Sequence, residues 1–368
     1  MKSVLETGIS NVKNPSRYIF GENSIHNLRN LLDERKKEEP NTSSVVFIDH
    51  FFKNRNKFIN QLNLHKDDNV IFVSTENEPT TDYVDELLLR VKKYKTKIST
   101  VIGIGGGSTL DISKAISNLL TNGGNASDYQ GWDLVKKPGT YKIGIPTLSG
   151  TGAESTRTCV MTNKKTNLKL GMNSDHTIFD QIILDPNLTK TVPYDQYFYS
   201  GMDSYIHCIE SLNGNYRNSV GDAYSDQVKQ LCQSVFLSED MQSKENRSKL
   251  MVASYLGGCA IATSYVGVIH PFSAGLSVVL GLHHCIANCL AFNVLSEFYE
   301  DEHREFKNMC NQQNIELPSN ICKSLNEEQF LMLYKSTIIH EKPLTNALGP
   351  DFKRILTQDK VREIFERI

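Results

Sequence analysis

Two segments in the first half of the chain run from a strand-like stretch straight into glycines: STVIGIGGGS at 99–108 and KIGIPTLSGTGAES at 142–155. A short β-branched run that ends in glycine and leads into helical periodicity is a strand–turn–helix unit. Around them, SSVVFIDH (43–50) and NVIFVST (69–75) read as strands, and DYVDELLLRVKKY (82–94) and TLDISKAISNLLT (109–121) as helices. This alternation specifies a mostly parallel sheet covered by helices. After about residue 190 the strand signals nearly vanish, and DQYFYSGMDSYIHCIESLN, DAYSDQVKQLCQSVFL and HHCIANCLAFNVLSEF favour helix. At 368 residues the chain is too long for one ordinary core. The expectation is an α/β domain over 1–190 and an all-α domain over 191–368, divided near TVPYDQY (191–197).

Bulk properties exclude several function classes. Lys plus Arg is 40 against 42 Asp plus Glu, a net charge of −2, so no field of one sign points to nucleic acid. None of the eight cysteines forms a CxxC pair; scattered through apolar stretches, they read as reduced thiols in a cytoplasmic core. The N-terminal MKSVLETGISNVKN has no apolar h-region, so no signal peptide is expected. Residues 252–282 carry no Asp, Glu, Lys or Arg and are long enough for a membrane span. Pro271, His270 and repeated glycines make a buried helix pair the better reading.

Consecutive glycines at Gly105, Gly106 and Gly107 let backbone N–H groups approach an anion, and the helix that follows adds a favourable dipole for phosphate. Ser108 and Asp111 also have capping-box spacing, a role that can coexist with pyrophosphate binding. Asp49, ending an early strand, suits a ribose hydroxyl and disfavours a 2′-phosphate; it suits a plain turn equally well. Thr147, Ser149 and Thr151 offer hydroxyls in the second glycine turn, or local bonds within a tight loop.

A second constellation lies in GMDSYIHCIES (201–211), where Asp203 and His207 share one face of an otherwise apolar helix. His270 and His284 are 14 apart, roughly 21 Å on one straight helix, too far to share a ligand. Pro271, Gly275 and Gly281 offer the break that two helices would need to bring both rings to one point. One carboxylate and three imidazoles then suit Fe2+ or Zn2+.

GGGSTLDISKA, PTLSGTGAEST, DPNL, GMDSYIHCIES and the His-x13-His pair occur in the order found in the iron-containing alcohol dehydrogenase superfamily, which this chain resembles. The resemblance implies an α/β dinucleotide-binding domain over 1–190 and a helical metal-binding domain over 191–368, a fold shared with glycerol dehydrogenase and dehydroquinate synthase. Within the superfamily, YQGWDLVKKP, NSDHTIFDQII, YIHCIESL and LPSNICK are most similar to the 3-deoxy-D-manno-octulosonate (Kdo) 8-oxidases. The resemblance implies metal ligation by Asp203, His207, His270 and His284. It implies NAD contacts from Asp49, Gly105, Gly106, Gly107, Ser108, Asp111, Thr147, Ser149 and Thr151, with Lys169 beside the cofactor. Family members carry a further histidine four residues after the third ligand; here that position is Ala274, and His283 is a candidate substitute as a catalytic residue.

The implied reaction is oxidation of the terminal C8 hydroxyl of Kdo to an aldehyde, ahead of amination by a partner aminotransferase, with dioxygen or NAD as acceptor. Arg157 is the candidate cation for the sugar-acid carboxylate, or else a structural ion pair. A homo-oligomer in the cytoplasm is expected. Rival readings are an NAD-dependent dehydrogenase of another small alcohol or aldehyde, a lyase of the dehydroquinate synthase type, and a silent binding protein. Few basic residues surround the glycine turns, which argues against the lyase.

Overall fold

The structure, a computed structural model, describes residues 12–368. Most of the segment on which the signal-peptide reading rests lies outside those residues.

The first half builds a six-stranded sheet from β1 (Arg17–Phe20), β2 (Ser43–Asp49), β3 (Asn69–Val73), β4 (Ile98–Gly105), β6 (Tyr141–Pro146) and β9 (Gln181–Leu184). Their order is β1-β9-β6-β4-β2-β3, and every pairing is parallel. Helices α1 (Leu28–Glu38), α2 (Asn56–Gln61), α3 (Thr81–Val91) and α4 (Gly107–Asn122) make the crossovers. The central strands are buried on both faces, which explains their unbroken Val/Ile runs. One core packs Val45, Phe47, Val101 and Ile112 on one side of the sheet, and another packs Val46, Ile48, Ile102 and Ile143 on the other. Each such side chain contributes roughly 1.5–3 kcal/mol by leaving water.

A second small sheet, which the alternation did not announce, is formed by β5 (Gly131–Trp132), β8 (Leu168–Asn173) and β7 (Thr158–Asn163) in that order. β7 and β8 form an antiparallel hairpin around the polar turn at 164–167.

No strand follows Leu184 among the described residues. The second half is α5 (Tyr194–Leu212), α6 (Ser219–Phe236), α7 (Lys244–Ser264), α8 (Ile269–Leu280), α9 (His284–Val294), α10 (Glu300–Gln312), α11 (Glu327–Ile338), α12 (Glu341–Leu348), α13 (Phe352–Ile355) and α14 (Gln358–Glu366). Its core is drawn entirely from residues after 190, including Tyr205, Phe272, Phe292 and Phe365. The uncharged run at 252–282 is the end of α7 and all of α8, bent by 107° at the break between them. Among the described residues no single helix is long and apolar enough to cross a membrane.

The two halves meet where the second glycine turn docks on α5 and α7. Gly150 has φ +140°, and a Cβ there would fall 1.5 Å from the Ser200 carbonyl oxygen. Ser204 Oγ donates to the Gly150 carbonyl at 3.0 Å. Only glycine can let the loop lie this close to the helix that carries Asp203.

Candidate active site

The register of the large sheet places three predicted features side by side. Gly105 ends β4 opposite Pro146 of β6, and the Thr147 N–H donates to the Gly105 carbonyl at 3.0 Å. The two glycine turns are therefore neighbours at the carboxyl edge of the sheet, the usual crevice of an open α/β fold. Asp49 ends β2, the strand on the other side of β4; a Cβ on Gly105 would lie 3.1 Å from its own. Its carboxylate accepts from the Phe51 N–H (2.9 Å) and from Thr75 Oγ (3.2 Å).

Gly106 is the N-cap of α4, and the first α-helical bond runs from Leu110 N–H to the Gly106 carbonyl. The N–H groups of Gly107, Ser108 and Thr109 are left without helical partners, pointing off the helix start. This corrects the capping-box reading. The helix begins at Gly107, one residue before Ser108, so Ser108 lies inside it. The Asp111 carboxylate instead accepts from the Val160 N–H at 2.9 Å. Burial pushes Asp111 up to about 6, against the pull of Lys114. Asp111 thus ties α4 to β7 rather than facing the turn. Thr151 packs against Gly107, where a Cβ would meet its side chain at 3.3 Å. The Ser149 hydroxyl is buried without a hydrogen-bond partner.

Across from these turns, Asp203 and His207 do share a face of α5. Asp203 is fully buried. Its Oδ1 lies 3.6 Å from His207 Nε2 and 3.5 Å from His270 Nε2, and its Oδ2 lies 3.6 Å from His284 Nε2. The bend between α7 and α8, and the Gly281 C-cap of α8 at φ +69°, deliver His270 and His284 from separate helices. Donor atoms of Asp203, His270 and His284 all lie within 4.8 Å of one another. His207 stacks on His270 with ring centroids 4.9 Å apart and an interplanar angle of 13°.

Three imidazole nitrogens directed at one carboxylate, each beyond good hydrogen-bond length, make a donor set suited to a shared cation. Burial pushes His207 down to about 4 and His284 down to about 3, so both present neutral rings at neutral pH. Their Nδ1 atoms are buried without partners, leaving Nε2 as the engaged nitrogen. Burial would lower His270 too, but the Glu210 and Asp203 carboxylates push it up to about 10. Burial would also raise Asp203, yet the surrounding imidazoles hold its carboxyl well below the usual range.

Several residues in this shell escaped the sequence reading. Glu210, one turn beyond His207 on the same face of α5, accepts from His270 Nδ1 and from the Ile269 N–H at 2.6 Å. It fixes the ring's tautomer and turns Nε2 toward Asp203. Its spacing of seven from Asp203 was the available signal. Asn288, four residues after His284, donates its amide to Asp203 Oδ1 at 2.6 Å. Glu78 accepts from the His284 N–H at 2.7 Å and pairs with Lys169 at 2.5 Å, while Lys169 also donates to Ser277 of α8 at 3.2 Å. Lys169 is therefore wired to the helices bearing His270 and His284. His340, just before α12, has a buried and unpartnered Nε2; burial, with Lys169 and His270 nearby, pushes it down to about 4.

Two candidates are not gathered in. His283 is the exposed N-cap of α9, and its ring makes no hydrogen bond to the described residues. Arg157 is paired with both Asp133 and Asp175, so its charge is already committed to carboxylates of its own domain. Ala274, where the family histidine was missed, is buried one turn along α8 from His270.

The comparisons with known proteins agree with this architecture. The model for "Iron-containing alcohol dehydrogenase" matches residues 15–186, and that for "Fe-containing alcohol dehydrogenase family, C-terminal" matches residues 197–330. The chain belongs to the iron-containing alcohol dehydrogenase family. Among relatives within it, a sulfoacetaldehyde reductase of Bilophila wadsworthia is 32% identical over 228 residues, 61% of this chain and 58% of the relative. An NAD-dependent methanol dehydrogenase of Bacillus methanolicus is 30% identical over 242 residues, 62% of each. The chain thus matches about three fifths of the length of these relatives. The crystal structure of a 1,3-propanediol oxidoreductase superposes with a TM-score of 0.80 at 20% identity, covering 97% of this chain and 99% of that one. A sulfoacetaldehyde reductase from Bifidobacterium kashiwanohense in complex with NAD+ gives 0.77 at 21%, covering 97% and 98%. These structures share the family's fold.

Proposed function

We propose that this family member is a metal-dependent alcohol oxidoreductase that converts the C8 hydroxymethyl group of Kdo to an aldehyde, ahead of amination by a partner enzyme. The observation that carries the oxidoreductase reading is the convergence of Asp203, His207, His270 and His284 opposite the paired glycine turns. Asp203 and the three imidazoles would hold Fe2+ or Zn2+. Gly105–Ser108, with Asp49, Thr147, Ser149 and Thr151, would hold NAD. When bound, the cation supplies Lewis acidity toward the hydroxyl and the nicotinamide accepts the hydride.

The chain's own residues set the conditions for that chemistry. Glu210 and Asn288 keep His270 and Asp203 aimed inward, so the donor set is organised before anything binds. The Glu78–Lys169–Ser277 chain joins the small sheet to α8 and α9 and fixes the width of the cleft at that point. The buried, unpartnered Nε2 of His340, on a ring that burial keeps neutral, is left free to accept a hydrogen bond. The sugar-acid substrate rests on the likeness of YQGWDLVKKP and NSDHTIFDQII to Kdo 8-oxidases. It is also in keeping with a relative that is a reductase of sulfoacetaldehyde, itself a small anionic aldehyde.

A second reading, an NAD-dependent dehydrogenase of another small alcohol, is favoured by the methanol and 1,3-propanediol enzymes among the similar proteins. One experiment separates the two. Metal-loaded protein is incubated with Kdo, with and without NAD and dioxygen, and products are identified by mass. The first reading expects a product two mass units below Kdo, with NADH formed when NAD is the acceptor. Turnover of short-chain alcohols with none of Kdo would overturn it.

A further inference from the structure

Trp132, the chain's only tryptophan, closes β5 and faces the helical domain. Tyr265 meets it edge-on, with centroids 5.4 Å apart, and Tyr216 meets Tyr265 in the same manner at 5.3 Å. Lys342 of α12 sets its ammonium 3.7 Å from the Trp132 ring centroid and 5.9 Å from that of Tyr265. Unlike Arg157, it makes no salt bridge among the described residues, and the Asp133 carboxylate acts on it only at longer range. The three rings are half-buried and the lysine is exposed.

This wall is held in shape at some cost to the backbone. Tyr265, the C-cap of α7, has φ 64° and ψ 169°, a conformation that belongs essentially to glycine. Fully buried Asn346 clamps the strained turn, donating to the Ser264 and Val266 carbonyls at 2.9 and 3.0 Å. Its side-chain Oδ1 accepts from the Tyr216 N–H at 2.9 Å. One side chain thus positions both tyrosines. From Tyr265 the chain passes Gly267, where a Cβ would lie 3.2 Å from Glu210 Cγ, and reaches His270. Five residues span at most ~17 Å, which bounds the backbone separation between Tyr265 and His270. Lys342 likewise follows His340 by two positions, and β5 pairs with the strand that carries Lys169.

We infer that Trp132, Tyr265, Tyr216 and Lys342 form the substrate-recognition subsite, and that it selects a hydroxylated acid. The carboxylate sits on the Lys342 ammonium while an apolar C–H face of the carbon skeleton lies against the rings, leaving the distal hydroxyl to reach Asp203 and its imidazoles. A strained, clamped aromatic corner carrying a cation that makes no salt bridge fits this role better than Arg157, which is in direct contact with two carboxylates. The inference deepens the reading given under Proposed function and rests on it for the identity of the acid.

Trp132 is its own probe. Titration of Kdo into the metal-loaded protein, followed by tryptophan fluorescence, is expected to give a saturable change that the neutral polyol glucitol does not. Lys342→Gln should weaken the Kdo midpoint about tenfold, the loss of one charge-assisted contact, and Lys342→Arg should restore most of it. In turnover, the kcat/KM ratio of Kdo over 1,3-propanediol should fall about tenfold in Lys342→Gln, chiefly through KM. A wild-type fluorescence response without turnover would sink the proposed reaction and leave the subsite standing. Turnover of Kdo with the same selectivity in Lys342→Gln, or an equal loss for both substrates as a mere strut between domains would give, would overturn the subsite.

Discussion

The two sides of the cleft are built from different materials. The side proposed to hold the nucleotide is made of backbone: two glycine turns at adjacent strand ends, free N–H groups at the start of α4, and a loop pressed onto α5. The side proposed to hold the metal is made of side chains, four donors from three helices, of which His270 and Asp203 are oriented by Glu210 and Asn288, partners distant in sequence. A backbone site is fixed by sheet register and tolerates little change in the residues that let the chain approach itself, but much elsewhere. A side-chain site depends on the shell behind the ligands. The contrast suggests where each side should break.

The largest effect is expected on the backbone side. Gly150→Ala puts a methyl group 1.5 Å from the Ser200 carbonyl oxygen at φ +140°. Neither the loop nor α5 can yield without separating the glycine turn from the helix that bears Asp203. A loss of roughly 4 kcal/mol or more is expected, since clash and backbone strain add. That corresponds to a fall of about 5 °C in the thermal midpoint of a chain this long. A midpoint within a degree or two of wild type would mean the loop is not held as described.

On the metal side a smaller and more selective failure is expected. Glu210→Gln keeps the shape but weakens acceptance from His270 Nδ1, freeing the ring to turn. Metal affinity should fall about 10–100-fold, the range for loss of such a partner. Bound metal can be assayed after dialysis against a weak chelator. Activity should return when excess metal is supplied, because the ligands themselves remain. Full metal retention in Glu210→Gln would show that Asp203 and the imidazoles hold their geometry unaided.

The same contrast explains what was legible in the sequence. Strand runs and glycine turns are local patterns, so the large sheet, the helical second half and the position of both turns could be read directly. The Asp203–His207 pair is also local, at i and i+4. His270 and His284 needed only a helix break, which Pro271 and the glycines supplied. Glu78 was not legible. It lies in a polar loop more than 200 residues before His284, and only the fold brings it to the His284 N–H. Glu210 was in plain view, yet nothing local marks a glutamate near a helix end as the partner of a histidine 60 residues on. Ser108 and Asp111 misled for the opposite reason. Their spacing suits a cap, but Gly106 starts the helix earlier, and Asp111 is drawn to β7, an element that the local pattern left unread.

The smallest effect should come from a side chain on the backbone-built side. Asp49 takes part in its own turn through the Phe51 N–H and Thr75 Oγ. Asn at that position can still accept from both, so Asp49→Asn should leave the fold and the glycine turns in place. What it removes is a negative charge at the strand end beside Gly105, where an adenosine ribose would lie. That charge accepts a ribose hydroxyl and repels a 2′-phosphate. Asp49→Asn should therefore raise the ratio of kcat/KM for NADP over NAD about tenfold, equivalent to ~1.4 kcal/mol. Turnover itself should stay close to wild type, because the proposal places the reacting end of the cofactor at the second glycine turn, away from Asp49. An unchanged ratio would place the ribose elsewhere. A collapse in turnover would instead mean that this edge of the sheet is also organised by side chains, and the division between the two halves of the cleft would no longer hold.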